Sequence, residues 1–538
     1  MLARRGHERV PDAGGRQSLA LGTTSILGRI PLHPIGVGAV PVVFLFAENQ
    51  VQQVTLDPLW RPLAIAVLFA IAVTLTGAAL LWDWRRGALL ASLVLILFFS
   101  FGHAWNLVGE ALGDRMWLVN IYLLVLAVGG FLIWRSGGAW VGSATAFLNV
   151  AILLLLVFNV ARVAEFALGS ASPAGEAASP PPGIDASGRK PDIYYLIFDR
   201  YGGPDTLDRV YGHDNEPFLA ALEEQGFTVA RDAWANYFKT ALSLTSSLSM
   251  DYLDAGRFPA EARTFDLVHQ ALRERLAVPA TLKAIGYEYV HVASFWEPTA
   301  TNAEADIVVR SEGATEFDAA VRATTVLSLL EEPRPEDDDP ETIPFPDLAR
   351  ESTLFAFDAV ESAARRPGPT FVFAHILVPH PPYVFDADGS MPTPAETDER
   401  SEEEEYVAQL TWTNARILEM LERILAVPPG EEPIVILQAD EGPFPARYRM
   451  MGERFRWFTA TDEEVAQKFG ILNALHLPGV DPQAAGLTEH TSPVNNFRIV
   501  MNAYFGADLP ILPDIAYLSR NHIYPYTLRE YSRIEPPL

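Results

Sequence analysis

Three acidic residues beyond residue 190 have the type and placement that metal-assisted chemistry uses. Asp199 ends the apolar run Ile193–Phe198 and is followed by Arg200, Tyr201, Gly202 and Gly203, a turn signal. Asp440 and Glu441 follow the apolar run 434–437 and precede Gly442 and Pro443. Carboxylates delivered by two separate strand ends suit an oxygen-rich divalent-cation site. Taken singly, a strand-end Asp is as readily a helix or turn cap. The adjacent pair is harder to explain that way, because two neighbouring buried acids repel unless a cation or a proton lies between them.

Residues 236–250 read as a loop that turns into a helix at Thr240. A hydroxyl there meets the positive end of the helix dipole and free N–H groups, a position equally suited to a cap and to a nucleophile beside an anion. Coordination to a metal would lower its pKa and supply the activation that a Thr needs. Ser243, Thr245, Ser246 and Ser247 read mostly as helix-surface hydroxyls. Of the 11 histidines, His380 is the most suggestive, because the flanking prolines of Pro-His-Pro-Pro stiffen the chain and fix the imidazole. His375, inside the preceding apolar run, reads equally as a core histidine. His476 and His490 are intermediate, and His213, His269, His291 and His522 read as ordinary surface or core residues.

These groups need a scaffold. From residue 190 onward, apolar runs at 193–198, 287–292, 370–376 and 433–437 alternate with amphipathic segments at 216–225, 262–276 and 403–425. That alternation predicts an α/β domain with a mainly parallel central sheet. Open sheets of this kind bind ligands outside the carboxyl ends of their strands, where Asp199, Asp440 and Glu441 fall.

The first 170 residues differ in kind. They hold 11 Lys and Arg against 8 Asp and Glu, whereas the remainder holds 29 against 59, a net charge of −30. An acidic half of this size offers no footprint for binding nucleic acid through its phosphates. The chain has no Cys, which excludes disulfides, Cys-ligated zinc, Fe–S clusters and thiol nucleophiles. Apolar stretches at 30–47, 62–82, 88–107, 116–134 and 141–168 approach or exceed the roughly 20 residues that cross a bilayer, so five helices are expected. No acidic or basic residue sits mid-span to line a transport path. With the N-terminus cytoplasmic, Arg4, Arg5, Arg9, Arg16, Arg29, Arg85, Arg86 and Arg135 face inward and only Arg61 and Arg115 outward, as the charge bias of short loops requires. The Ala-, Ser- and Pro-rich stretch 169–190 has linker composition. The expected order is a cytoplasmic tail at 1–29, a transmembrane domain at 30–168, a linker at 169–190 and an extracytoplasmic domain at 191–538. The acidic runs 331–341 and 398–405 read as solvated loops and a helix N-terminal turn.

Asp199 after a strand, then Thr240 with Ser243 three residues on, then His380 in Pro-His-Pro-Pro-Tyr, then Asp440-Glu441-Gly442 after a strand occur in the order seen in the alkaline-phosphatase/sulfatase superfamily. Thr240 stands where sulfatases carry a modified Cys or Ser. The chain therefore resembles the threonine branch, which includes membrane-anchored phosphoethanolamine transferases and lipoteichoic-acid synthases. The resemblance covers roughly 190–505. It implies that Asp199, Thr240, Asp440 and Glu441 ligate a divalent cation, that Thr240 is the nucleophile, and that His380 holds the substrate or protonates the leaving alkoxide. It also implies a membrane lipid or cell-envelope glycan as substrate, handled at the outer membrane face. Two features depart from the pattern. Those enzymes usually have His where this chain has Glu441, which favours Mg²⁺, Mn²⁺ or Ca²⁺ over zinc, or else marks a catalytically degenerate binding or assembly module. Residues 491–498 resemble the closing segment of an uncharacterised sulfatase-like group; Arg498 there reads as an anion neutraliser or as a structural tie.

Overall fold

The structure, a computed structural model, describes residues 30–49, 56–170, 183–185, 187–274, 276–311, 313, 315–330 and 346–531. The tail 1–29, residues 171–182 of the expected linker and the acidic run 331–341 lie outside the described residues.

Five helices open the chain: α1 (His33–Glu48), α2 (Asp57–Leu81), α3 (Trp84–Leu112), α4 (Arg115–Arg135) and α5 (Gly138–Ser170). Four of them, α2 to α5, are long and apolar enough to cross a membrane. At 16 residues with Pro41 inside it, α1 is shorter than the roughly 20 residues a span needs, so the expected fifth crossing is not confirmed. Tight polar turns separate the long helices. Asp83 caps α3 by accepting from the N–H groups of Arg85 and Arg86, and Gly113 closes it in the left-handed conformation (φ 69°). The next residue, Asp114, caps α4. The chain divides into two compact units, one of residues 1–44 and 63–161 and one of 45–62 and 162–538.

The second unit is an α/β domain. Its seven-stranded sheet has the order β2-β7-β6-β1-β5-β3-β4, with β1 (Ile193–Phe198), β2 (Phe227–Val229), β3 (Glu288–Val292), β4 (Ile307–Val309), β5 (Thr370–Ile376), β6 (Ile434–Gln438) and β7 (Asn473–His476). Only β7 runs against its neighbours. Every residue of β1, β5 and β6 is buried, as expected of central parallel strands covered on both faces. The hairpin β8 (Ala516–Asn521) and β9 (Tyr524–Tyr531) forms a separate sheet.

Candidate metal centre and nucleophile

The centre grows out of the three adjacent strands β6, β1 and β5. Ile197 of β1 pairs with His375 of β5 on one side and with Gln438 of β6 on the other. Asp199, just beyond β1, therefore arrives at the same sheet edge as His375 and as Asp440, which follows β6. One ligand atom from each of Asp199, His375 and Asp440 lies within 4.8 Å of the others, and all three residues are buried. Arg200 takes a left-handed backbone conformation (φ 60°), a strained choice for a residue with a Cβ. Its N–H donates to Asp440 Oδ1 (3.3 Å), which ties the turn after β1 to the acid after β6.

The donor set is organised for a ligand that the protein's own side chains do not replace. His375 Nδ1 shares a hydrogen bond with Thr299 Oγ1 (2.9 Å), which orients the ring as partners of metal-binding histidines do. Its Nε2 is 3.3 Å from Asp199 Oδ2 but has no hydrogen-bond partner, and the buried atoms Asp199 Oδ1, Asp440 Oδ2 and Glu441 Oε2 have none either. An unsatisfied buried polar atom costs about 1–3 kcal/mol, more when charged. Three of these atoms belong to Asp199, His375 and Asp440, whose ligand atoms can lie within 4.8 Å of one another, and such a group fits a divalent cation.

The electrostatics agree. Burial pushes the Asp440 carboxyl well up, and the charges of Asp199 and Glu441 push it further. For Asp199, burial acts in the same direction, but His380, His375 and Arg200 outweigh it and hold the carboxyl below its ordinary range. Side by side, one acid is held ionised while the other resists ionisation, which is the state of a like-charge pair lacking a counter-ion.

Thr240 opens the helix Thr240–Ser249, preceded by Lys239 in an extended conformation that supplies no side-chain cap. The Thr240 hydroxyl is near enough to the Asp440 carboxyl to favour its ionised form, so it borders the cluster at a helix N-terminus, where N–H groups are left for an anion. The loop before it is pinned from residues 492–515: Asn236 donates to Ser492 Oγ (3.0 Å) and Ile515 O (2.9 Å) and accepts from Val494 N–H (3.0 Å). Arg498 donates to Met250 O and Pro510 O (both 2.7 Å), so it ties down the far end of the same helix. His380 is buried, its Nδ1 turned to Pro381 O, and it is the foremost charge lowering Asp199.

Glu441 sits differently from the expected ligand. Its Oε1 is 2.7 Å from Lys468 Nζ and 3.5 Å from Arg200 Nε, and the three-residue group contains His375 in its place. The repulsion anticipated between Asp440 and Glu441 is thus partly met by fixed cations. Lys468, from the helix Asp462–Phe469, is wholly buried; burial lowers its pKa to about 8 against the pull of Glu441. Phe444 lies under three cations, with Lys468 Nζ, the Arg200 guanidinium and Lys239 Nζ at 3.2, 4.3 and 4.5 Å from its ring centroid. Replacing Lys468 by Met leaves Glu441 buried without its nearest counter-charge and is expected to cost about 3–5 kcal/mol. Chemical denaturation would measure this, and the double variant Lys468→Met/Glu441→Gln is expected to regain most of the loss.

Of the residues singled out from the sequence, Asp199, Asp440 and Thr240 come together, with His380 and Glu441 beside them. Sequence reasoning left His375 undecided and passed over Arg200, Lys468 and Phe444. The run 398–405 contains the capping box of the helix Glu402–Ile424, with Ser401 and Glu404 as its partners. His476 bonds Pro433 O and His490 pairs with Asp232, away from this cluster's residues.

No protein-family model and no curated protein sequence matches the chain. Its structural neighbours are phosphoethanolamine transferases, sulfatases and an alkaline-phosphatase-superfamily protein, the superfamily that the motif order resembles. The C-terminal periplasmic domain of EptC from Escherichia coli, in complex with Zn, matches with 13% identity and a TM-score of 0.41, over 65% of this chain and 96% of that one. The integral membrane lipooligosaccharide phosphoethanolamine transferase A from Neisseria meningitidis matches with 12% identity and a TM-score of 0.37, over 86% of this chain and 92% of that one. An alkaline-phosphatase-superfamily protein from Vibrio parahaemolyticus matches with 11% identity and a TM-score of 0.39, over 63% and 75%.

Proposed function

We propose that this chain is a membrane-anchored, metal-dependent enzyme that displaces a phosphoryl-type group from a lipid or cell-envelope glycan through Thr240, passing it to a second alcohol or to water. One observation carries the reading: buried, unpartnered donor atoms on Asp199, His375 and Asp440 lie beside a hydroxyl at a helix N-terminus. A degenerate binding module would keep the cation site without needing that hydroxyl beside Asp440.

Asp199, His375 and Asp440 would hold the cation, with Thr240 as a further oxygen ligand. A divalent cation there supplies Lewis-acid stabilisation of negative oxygen. The imidazole nitrogen widens the choice beyond Mg²⁺, Mn²⁺ and Ca²⁺ to include zinc. Thr240 Oγ loses its proton toward Asp440 and attacks phosphorus in line. The Oγ–P bond forms as the bond to the leaving oxygen breaks, and His380 delivers the proton that the leaving alkoxide needs. The acceptor hydroxyl then gives its proton to His380 as its oxygen attacks the same phosphorus, and the Oγ–P bond breaks as Asp440 returns its proton to Thr240. The free N–H groups at the start of the helix Thr240–Ser249 would be available to the equatorial oxygens.

Charge and contacts together support an outward-facing domain. Arg61 at the start of α2 donates to Gly313 O (2.7 Å) and pairs with Asp318 (3.8 Å), and Arg162 near the end of α5 pairs with Glu48. The charge bias of short loops would make the Arg-bearing loops 82–86 and 135–136 cytoplasmic, and four crossings by α2 to α5 would then return the chain to the outer face.

Peptide mass spectrometry of protein purified from its own membrane, quenched in acid, tests the reading. A covalent adduct on the peptide bearing Thr240, absent after chelation, is expected. Turnover with no adduct in either the steady state or a rapid quench would overturn the nucleophile.

A further inference from the structure

A second cavity, of about 250 Å³, lies in the 45–62 and 162–538 unit away from the metal cluster. Its walls include Glu297, Arg310, Ser311 and Thr315, and it is closed on one side by Asp57 and Arg61 from the first turn of α2. Two of these groups have no direct partner among the described residues. Glu297 is 6% exposed and lines the cavity. Among the described residues its carboxyl has no hydrogen-bond or ion-pair partner, and the Arg310 guanidinium, lining the same space, has none either. The two act on each other only at a distance.

A buried acid normally finds a cation or a donor. Glu297 instead faces Glu316, whose carboxylate is occupied by the Glu297 N–H (3.0 Å). Burial and the Glu316 charge push the Glu297 carboxyl up to about 8, against Arg273 and Arg310. Keeping so costly a group at a cavity wall, with an unpaired guanidinium across the same space, is the arrangement that a ligand carrying both charges would satisfy.

We propose that this cavity binds a small zwitterion, its ammonium on Glu297 and its oxyanion on Arg310. The space is smaller than the roughly 300–1,000 Å³ of drug-sized sites, which limits the occupant to a small molecule or a head group. A guanidinium is the natural partner of a phosphate or carboxylate. Because Asp57 and Arg61 begin a helix able to cross a membrane, a lipid head group and a free zwitterion are both chemically suitable sources. The site also abuts the metal centre's support: Glu297 opens the short turn Glu297–Thr299, and Thr299 holds His375.

The test uses the full chain in detergent, carrying Thr240→Ala so that no turnover contributes, and calorimetric titration with 2-aminoethyl phosphate and with a short-chain lipid bearing that head group. Saturable binding is expected, weakened at least tenfold by Glu297→Gln and by Arg310→Gln, with ethanolamine alone and phosphate alone at least tenfold weaker. Binding of the lipid but not of the soluble zwitterion assigns the head group; equal binding of both assigns the free zwitterion. Unchanged affinity in both variants, or no saturable binding of either probe, overturns the proposal. A matching unfolding midpoint for Arg310→Gln, at a surface position, guards against misfolding of the buried variant. Metal binding, measured separately, is expected to be unchanged in both, so failure here leaves the metal-centre reading standing.

Discussion

Turnover by the Thr240→Ala protein is expected to fall by on the order of 10⁴–10⁶, the range that loss of a covalent nucleophile costs. The Ala side chain keeps the helix start and the fold, since Lys239 at the N-cap uses no side-chain bond, and Thr240 is only half-buried. What disappears is the oxygen beside Asp440 and the bond it forms with phosphorus. Thr240→Ser restores that oxygen and is expected to recover a measurable fraction of the rate together with the adduct. Release of the leaving alcohol, followed with saturating metal, reads both. A loss of less than tenfold in the Ala variant would place the nucleophile elsewhere.

Asp440→Asn is expected to move stability and metal binding in opposite directions. In metal-free protein the Asp440 carboxyl is disfavoured by burial and by two neighbouring acids, and its Oδ2 is unpartnered. An amide relieves the repulsion and brings an N–H₂ donor, for a gain of about 1–3 kcal/mol. With metal the sign reverses, because wild type gains about 2.7 kcal/mol at a hundred times the dissociation constant and the variant, short of a ligand, gains little. The pH dependence follows from the upward shift. The folded state holds the Asp440 proton more firmly than the unfolded chain, whose carboxyl titrates near 3.9. That contribution is complete below about pH 4 and is lost as pH rises through the raised value. The unfolding midpoint of chelated wild type is therefore expected to fall further behind that of Asp440→Asn as pH rises from 5 to 8. Asp199 has the opposite shift, losing its contribution as pH falls through its depressed value, and it is present in both proteins. A metal-free variant less stable than wild type at pH 8 would contradict this account.

How far the sequence reveals this site depends on the kind of signal each residue carries. The strands β1, β5 and β6 are largely apolar runs of five to seven residues, and β3 keeps Tyr289, Val290 and Val292 among its five, so their pattern is plain. β2 and β4 have three residues each, and β7 reads Asn-Ala-Leu-His, too short or too polar to stand out. Asp199, Asp440 and Thr240 are legible because they punctuate boundaries. His375 is not, because it lies within a buried strand and only the pairing of β1 with β5 brings it to Asp199. Lys468 sits in a charged amphipathic helix where a Lys signals solvent; only the tertiary fold turns it onto Glu441. The role of residues 491–498 likewise appears once Asn236 and Met250 are seen to bond with them.

Three bases, Arg200, Lys239 and Lys468, crowd one aromatic ring close to three acids, Asp199, Asp440 and Glu441, inside a half of the chain that carries −30. The acids and bases cancel locally, so a dication held there would leave a small region of positive potential within a broadly negative field. The two fields act over different ranges. At about 0.15 M salt the Debye length is near 8 Å, enough to mute the outer repulsion while hardly touching buried charges. A soluble anionic substrate would then be captured faster as ionic strength rises from a few millimolar, the reverse of ordinary electrostatic steering, whereas one arriving along the bilayer would show little change.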